Sequence, residues 1–244
     1  KERLIPYNPC ENCRIPPKDK KEMTILPPEK IGRYLQEAEK YGVLPMFYLE
    51  LSSGLRRGEL LALQWDDLNV KEQILTVNKQ VTRMEGELDV TEPKTKNSVR
   101  KVALSQQAVD LLVQEHEQHP DNPILFPSPR TGGYWSPDAV SRINRKLLKS
   151  AGIEEHVRFH DLRHTFATMA ISSGVDVKTL SSMLGHFSAG FTLDTYTHIT
   201  NDMQRGAAEK IGGFMESVTA ANTPEPPDPP EESRCKVIPF EKVG

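Results

Sequence analysis

Chemistry-bearing side chains crowd into one stretch of this chain. RFHDLRHTFATMAISSGVDVKTLSSMLGHFSAGFTLDTYTH places His160, Arg163, His164, His186, Tyr196 and His198 within about forty residues. A second unusual patch, SSGLRRGELLALQWDDL, sets Arg56 and Arg57 just beyond Gly54, and a third, EPKTKNSVRKVAL, is a basic hairpin carrying Lys94, Lys96 and Arg100. His160 and Arg163 are three residues apart and share one face of a helix. A surface helix with scattered charges has the same spacing. His160 and His164 also match the spacing of the two zinc ligands in H-E-x-x-H. Here Asp161 holds the general-base slot, Arg163 places positive charge beside the would-be metal, and no third ligand has a recognisable spacing, so no metal is expected. Phenol, guanidinium and imidazole groups together suit a nucleophile attacking an anionic centre. Acyl transfer fits poorly, because no Ser or Cys elbow accompanies them.

The elements that must position these groups read as mainly α with one small antiparallel β-sheet, an α+β class. Pro27 and Pro28 suit a first helical turn, and Ile31, Tyr34, Leu35 and Ala38 follow at helical spacing. A second helix is predicted over 44–53, stopping near Gly54. A third begins around Arg57 and carries Leu60, Leu61, Leu63 and Trp65, of which Leu63 and Trp65 read as core. QILTVNKQVTR alternates apolar and polar residues, Glu85-Gly86 makes a turn, and ELDVTEP and SVRKVAL supply two further strands, giving one sheet over 72–104. Helices are expected over 105–118, 136–150, 160–173, 176–184 and 201–217, with Ser105 and Ser136 as N-caps.

Composition narrows the class further. The chain has 244 residues, 37% of them apolar, enough for one sizeable core. Its mean hydropathy is −0.52, and it has no run of the roughly 18 apolar residues that a membrane span needs. Lysines and arginines total 31 against 34 acids, a net charge of −3, which argues against an overall positive coat but not against a local basic site. Cys10, Cys13 and Cys235 are an odd trio, which speaks for a reducing compartment. The lone C-x-x-C at Cys10 and Cys13 lies in a proline-rich stretch and reads as free thiols.

GLRRGELLALQWDDL, HDLRHTFATM and LGHFSAGFTLDTYTH, in that order, resemble the signature blocks of the tyrosine recombinases, the phage integrase family, and most of all the integrases of conjugative transposons of Gram-positive bacteria. The resemblance covers about 24–205. It implies the catalytic-domain fold of that family and a site-specific recombinase that cleaves and rejoins DNA through a 3′-phosphotyrosyl intermediate. Integration and excision of a mobile element follow, without metal or other cofactor. Arg56 matches the first catalytic arginine and Glu59 the acid that supports it. His160 and Arg163 match the H-x-x-R pair, His186 the His/Trp position after L-G, and Tyr196 the nucleophile. Many relatives place the tyrosine nine residues after that histidine; here it is ten, the extra residue lying in SAGF. Lys96 matches the catalytic lysine of the hairpin, with Lys94 the alternative.

The implied partners are double-stranded DNA, three further copies of the chain in a homotetramer on DNA, and an accessory protein for excision. The implied compartment is the bacterial cytoplasm, with no membrane. Residues 1–23 read as a linker from an N-terminal DNA-binding region, 24–218 as the catalytic domain and 219–244 as a flexible Pro/Glu-rich tail. Arg142, Arg145, Lys146 and Lys149 form a basic stripe on one helix, either a solvated face or a phosphate contact. A type IB topoisomerase uses the same tyrosine chemistry, but the surrounding strings fit it less well. A non-catalytic DNA-binding regulator would explain the stripe but not Arg56, His160, Arg163 and Tyr196 together.

Overall fold

The computed structural model describes Cys10, Cys13 and residues 24–84, 86–91, 99–185 and 208–218. Residues 1–200 and 201–244 form separate units. The first holds seven described α-helices: α1 (Pro28–Lys40), α2 (Leu44–Ser53), α3 (Arg57–Ala62), α4 (Gln106–Glu117), α5 (Pro137–Ser150), α6 (Phe159–Ser172) and α7 (Val177–Leu184). Its strands are β1 (Leu68–Asn69), β2 (Ile74–Val77), β3 (Gln80–Met84), β4 (Glu87–Thr91) and β5 (Arg100–Ala103). In the second unit a helix spans 208–218 with every residue exposed; residues 201–207 of the expected 201–217 helix lie outside the described residues. No helix among the described residues is long and apolar enough to cross a membrane.

The core forms around α2, which packs against α1, α4 and α6. Tyr34, Phe47 and Phe159 meet edge to face, with centroids 5.8 and 5.7 Å apart, and so join α1, α2 and the start of α6. The Tyr34 hydroxyl donates to Asn144 Oδ1 at 2.6 Å, and Asn144 Nδ2 donates to the Val157 carbonyl at 2.9 Å. That buried chain fixes α5 and the loop leading into α6, and it leaves the opposite side of α5 to solvent.

Helix ends follow local chemistry. Gly54 (φ 60°) and Gly185 (φ 64°) end α2 and α7 in the left-handed region that favours glycine. A Cβ on Gly54 would stand 2.3 Å from Phe166 Cδ1. Ser105 Oγ accepts the Ala108 N–H and starts α4. Ser136 occupies the N-cap position of α5, yet its hydroxyl makes no cap bond; Pro137 at the first position sets that start.

Two expectations need correction. Helix α3 stops at Ala62, so Leu63 and Trp65 are not on it. The backbone is diverted there: Trp65 N–H donates to the Pro123 carbonyl (2.8 Å), and Leu125 N–H donates to that of Leu63 (2.9 Å). Leu63 is buried, while Trp65 sits at the core margin, stacked on His116 at 4.0 Å. The strands form two sheets rather than one: β1-β2-β5, and a β3-β4 hairpin, both antiparallel. The break falls at Asn78-Lys79. Lys79 turns inward, and its Nζ donates to Gln64 Oε1 and Asp67 Oδ1, each at 2.9 Å.

Candidate active site

The site begins where α2 ends. The left-handed turn at Gly54 ends α2, and α3 starts three residues later, at Arg57, with Arg56 at its N-cap. Glu59, in the first turn of α3, reaches back and accepts the Arg56 backbone N–H through Oε2 (2.9 Å) and Arg56 Nη1 through Oε1 (2.8 Å). A second guanidinium closes on the same carboxylate from the sheet. Arg100, the first residue of β5, donates Nη2 to Glu59 Oε2 at 2.8 Å and Nη1 to Oε1 at 3.1 Å. Burial alone would raise the Glu59 carboxyl, but hydrogen bonds and charge from Arg100 and Arg56 outweigh it and hold the group below its ordinary value.

Arg163 enters from α6. Its Nη1 donates to the Gly54 carbonyl and its Nη2 to that of Leu184, both at 2.7 Å. Burial, and then the charge of Arg56, push its pKa down to about 10, so it stays charged at neutral pH. Three successive carbonyls at the end of α7 are thereby held by three arginines: Met183 by Arg100 Nε (2.6 Å), Leu184 by Arg163, and Gly185 by Arg56 Nη2 (3.0 Å). The negative end of a helix dipole favours cations there. A guanidinium has five N–H groups. Among the described residues Arg163 gives two of these to carbonyls, while Arg56, with 39% of its side chain exposed, is the guanidinium of the trio most open to solvent.

His160 lies one turn before Arg163 on α6 and is exposed. Partial burial of its ring, then the charge of Arg163, lower its pKa, so the imidazole is neutral and can accept a proton at neutral pH. His164 packs its ring edge to face on His160 at 5.1 Å, and burial followed by His160 pushes it down to about 4. Asp161 is not available as a general base. It accepts Arg158 N–H, Nε and Nη2 at 2.8, 3.0 and 2.8 Å and so fixes the start of α6. Among the described residues no three His, Cys, Asp or Glu side chains are grouped to hold a metal ion.

Arg142, Arg145, Lys146 and Lys149 are all exposed on α5, opposite its buried Val140, Asn144, Leu147 and Leu148. A cleft of about 620 Å³ runs between α5 and the active-site end of α6, with Arg57, Arg145, His156, Arg158 and His160 in its wall. Arg57 Nη1 ties α3 to α5 by donating to Ser141 Oγ at 2.7 Å.

The structure therefore brings together Arg56, Glu59 and Arg163, with His160 one turn from Arg163. Lys94, Lys96, His186, Tyr196 and His198 lie outside the described residues. Sequence reasoning gave no role to Arg100 or Glu50. The sign of Arg100 was present in the strand pattern: a charged residue takes the same inward face of β5 as Val102. Glu50, on α2, is fully buried, and neither carboxyl oxygen has a hydrogen-bond partner among the described residues. Burial holds it toward the neutral form, against the pull of Arg163.

The described part of the site is a guanidinium cluster built around one buried carboxylate in a mainly helical domain, an arrangement whose charge suits an anion. Residues 26–203 match the phage integrase family, and the chain belongs to that family. It is 30% identical over 227 residues to the ICEBs1 integrase of Bacillus subtilis (strain 168), covering 88% of this chain and 61% of the relative. It is 29% identical over 242 residues to a XerC-like tyrosine recombinase of Caldanaerobacter subterraneus subsp. tengcongensis, covering 88% and 62%. The chain thus spans about three-fifths of the length of these curated relatives. Among solved structures, the Tn1549 transposon integrase in complex with a circular intermediate DNA shares the fold at a TM-score of 0.69 and 22% identity, over 79% of this chain and 67% of that one. XerA recombinase matches at 0.63 and 27% identity, over the same two shares, 79% and 67%.

Proposed function

We propose that this chain carries the cleaving and rejoining centre of a site-specific DNA recombinase, acting in integration and excision of a mobile element. The observation that carries the reading is the meeting of Arg56 and Arg163 on neighbouring carbonyls, with Glu59 fixing the first and the neutral His160 beside the second. In the reaction the Tyr196 hydroxyl attacks a DNA phosphorus. The P–O5′ bond breaks, and a 3′-phosphotyrosyl bond forms. His160 takes the phenolic proton, whose ordinary pKa near 10 makes phenolate scarce at neutral pH. Arg56 and Arg163 hold the non-bridging oxygens, His186 adds a donor, and Lys96 (or Lys94) gives a proton to the departing 5′-oxygen. One phosphoester replaces another, so a different 5′-hydroxyl can reverse the step. The positions of Tyr196, His186 and the lysine in this scheme rest on the family motifs.

The stripe of Arg142, Arg145, Lys146 and Lys149, continued by the cationic cleft toward His160, supports a duplex gripped by its phosphates along α5. Residues 24–218 would form the catalytic domain, working as a homotetramer on DNA with an accessory protein for excision, in the bacterial cytoplasm. The test is a duplex carrying a nicked candidate site, incubated with the protein and resolved on a denaturing gel. Wild type yields a covalent protein–DNA band; Tyr196→Phe binds DNA but yields none. A band of normal yield from the Phe variant overturns the assignment of Tyr196. Supercoil relaxation without strand exchange turns the reading toward a topoisomerase.

A further inference from the structure

Arg100 is the most constrained cation of the site, and no step of the proposed reaction uses it. Its side chain is 6% exposed. Both of its Nη atoms grip Glu59, and its Nε holds the Met183 carbonyl. Glu59 Oε1 is shared: it accepts Arg56 Nη1 on one side and Arg100 Nη1 on the other. The angle at which Glu59 presents that oxygen to Arg56 is therefore set by the fork of Arg100. The other end of the same guanidinium packs on the turn that closes α7. A Cβ at Gly185 would meet Arg100 Nη1, Cδ and Cζ at 3.0, 3.1 and 3.2 Å, so the glycine leaves room for this one side chain. Arg100 also opens β5, where it pairs with Val77, shortly after Lys94 and Lys96 in the sequence.

We infer that Arg100 is a positioning residue for DNA cleavage, acting through Glu59 to orient the Arg56 guanidinium. The inference rests on the recombinase reading above. Being buried, Arg100 has no path to the duplex, so its loss acts on the rate of the chemical step and not on DNA affinity. A lysine would keep the charge but could not span both oxygens of Glu59.

The test is a double-substitution cycle on the covalent-adduct rate at saturating DNA, with DNA affinity measured in parallel. Arg100→Lys should slow adduct formation by about 10-fold or more in the wild-type background. It should slow it by less than about 3-fold in an Arg56→Lys background, because the guanidinium it orients is already gone. Affinity for DNA should stay within about 2-fold of the parent protein in both backgrounds, as expected for a group that does not touch the phosphates. A loss through general weakening of the fold would give equal factors in the two backgrounds. If Arg100→Lys does not fold, Arg100→Gln serves instead: it keeps a donor toward Glu59 but loses the fork, and the same non-additivity with Arg56→Lys is expected. Equal factors in both backgrounds, an unchanged rate, or affinity falling in step with rate overturns the role of Arg100 while leaving the recombinase reading intact. Absence of any adduct from wild type overturns that reading and this inference with it.

Discussion

Glu59→Gln should destabilise the domain by about 3 kcal/mol. The wild-type carboxylate, 3% exposed, accepts four hydrogen bonds between 2.8 and 3.1 Å, three of them from guanidiniums. Glutamine keeps the shape and one acceptor oxygen, but its amide nitrogen points donors at donors. About two contacts are lost, each worth about 1.5–3 kcal/mol because the donor is charged. Arg56 recovers part of this from water, since its side chain is 39% exposed, whereas Arg100 at 6% recovers almost none. For a domain of this size that is a fall in Tm of about 6–12 °C.

Urea unfolding followed by the fluorescence of Trp65 and Trp135 reads the change as a lower midpoint at constant slope. The pH dependence supplies an independent check. The folded Glu59 carboxyl lies below its ordinary value, so its contribution is present above the unfolded pKa and is lost as pH falls through the folded one. The gap between wild type and variant should therefore be full at pH 7 and shrink below about pH 4. A gap under about 1 kcal/mol at pH 7, the size of an exposed ion pair, would refute the reasoning, as would a gap that does not change with pH.

Two further outcomes follow from the same geometry. His164 stays neutral in the fold down to about 4, whereas in the unfolded chain it takes a proton near 6.5. The unfolded state therefore binds the extra proton between these values, stability falls as pH drops from about 6.5 to about 4, and this contribution is constant below that. His164→Leu should flatten that part of the urea midpoint's pH profile, and an unchanged profile would contradict the assignment. Gly54→Ala should cost about 2–4 kcal/mol, adding left-handed backbone strain to the overpacking of a Cβ 2.3 Å from Phe166; a thermal shift under about 2 °C would show that the turn tolerates a side chain.

Local signals in the sequence placed most elements. Helix α2 was legible to the residue because Gly54 ends it, and the α4 start because Ser105 caps it. The sheet was misjoined because alternation runs through QILTVNKQVTR without interruption, while the break comes from Lys79 reaching Asp67 across the chain. No local pattern encodes a contact of that kind. Likewise α3 stops early because residues 123–125, far along the chain, capture the backbone around Leu63 and Trp65. In the site, Arg56, Glu59, His160 and Arg163 stood out through motifs whose spacing is local. Arg100 did not, since its partners lie on α3 and at the end of α7 and its own neighbours read as an ordinary strand. Glu50 was hidden by its helix, where a single acid among apolar residues looks like the exposed face.

The buried partners explain why the site is built from arginines. Arg56, Arg100 and Arg163 face one ionised carboxylate, Glu59, while burial holds Glu50 toward neutrality. Positive charge is in excess among these described groups, which suits the anionic phosphate of the proposed reaction. The guanidiniums are held in place, because each is fastened to a backbone carbonyl of the α7 end. Such burial is tolerable only for a cation that resists deprotonation. The environment of Arg163 brings its pKa down to about 10, which leaves it charged at neutral pH. The same environment would push a lysine, whose ordinary value is about 10.4, down toward neutral pH. A lysine there would give up its charge more readily, and would also lack the fork that holds Gly54 and Leu184 together.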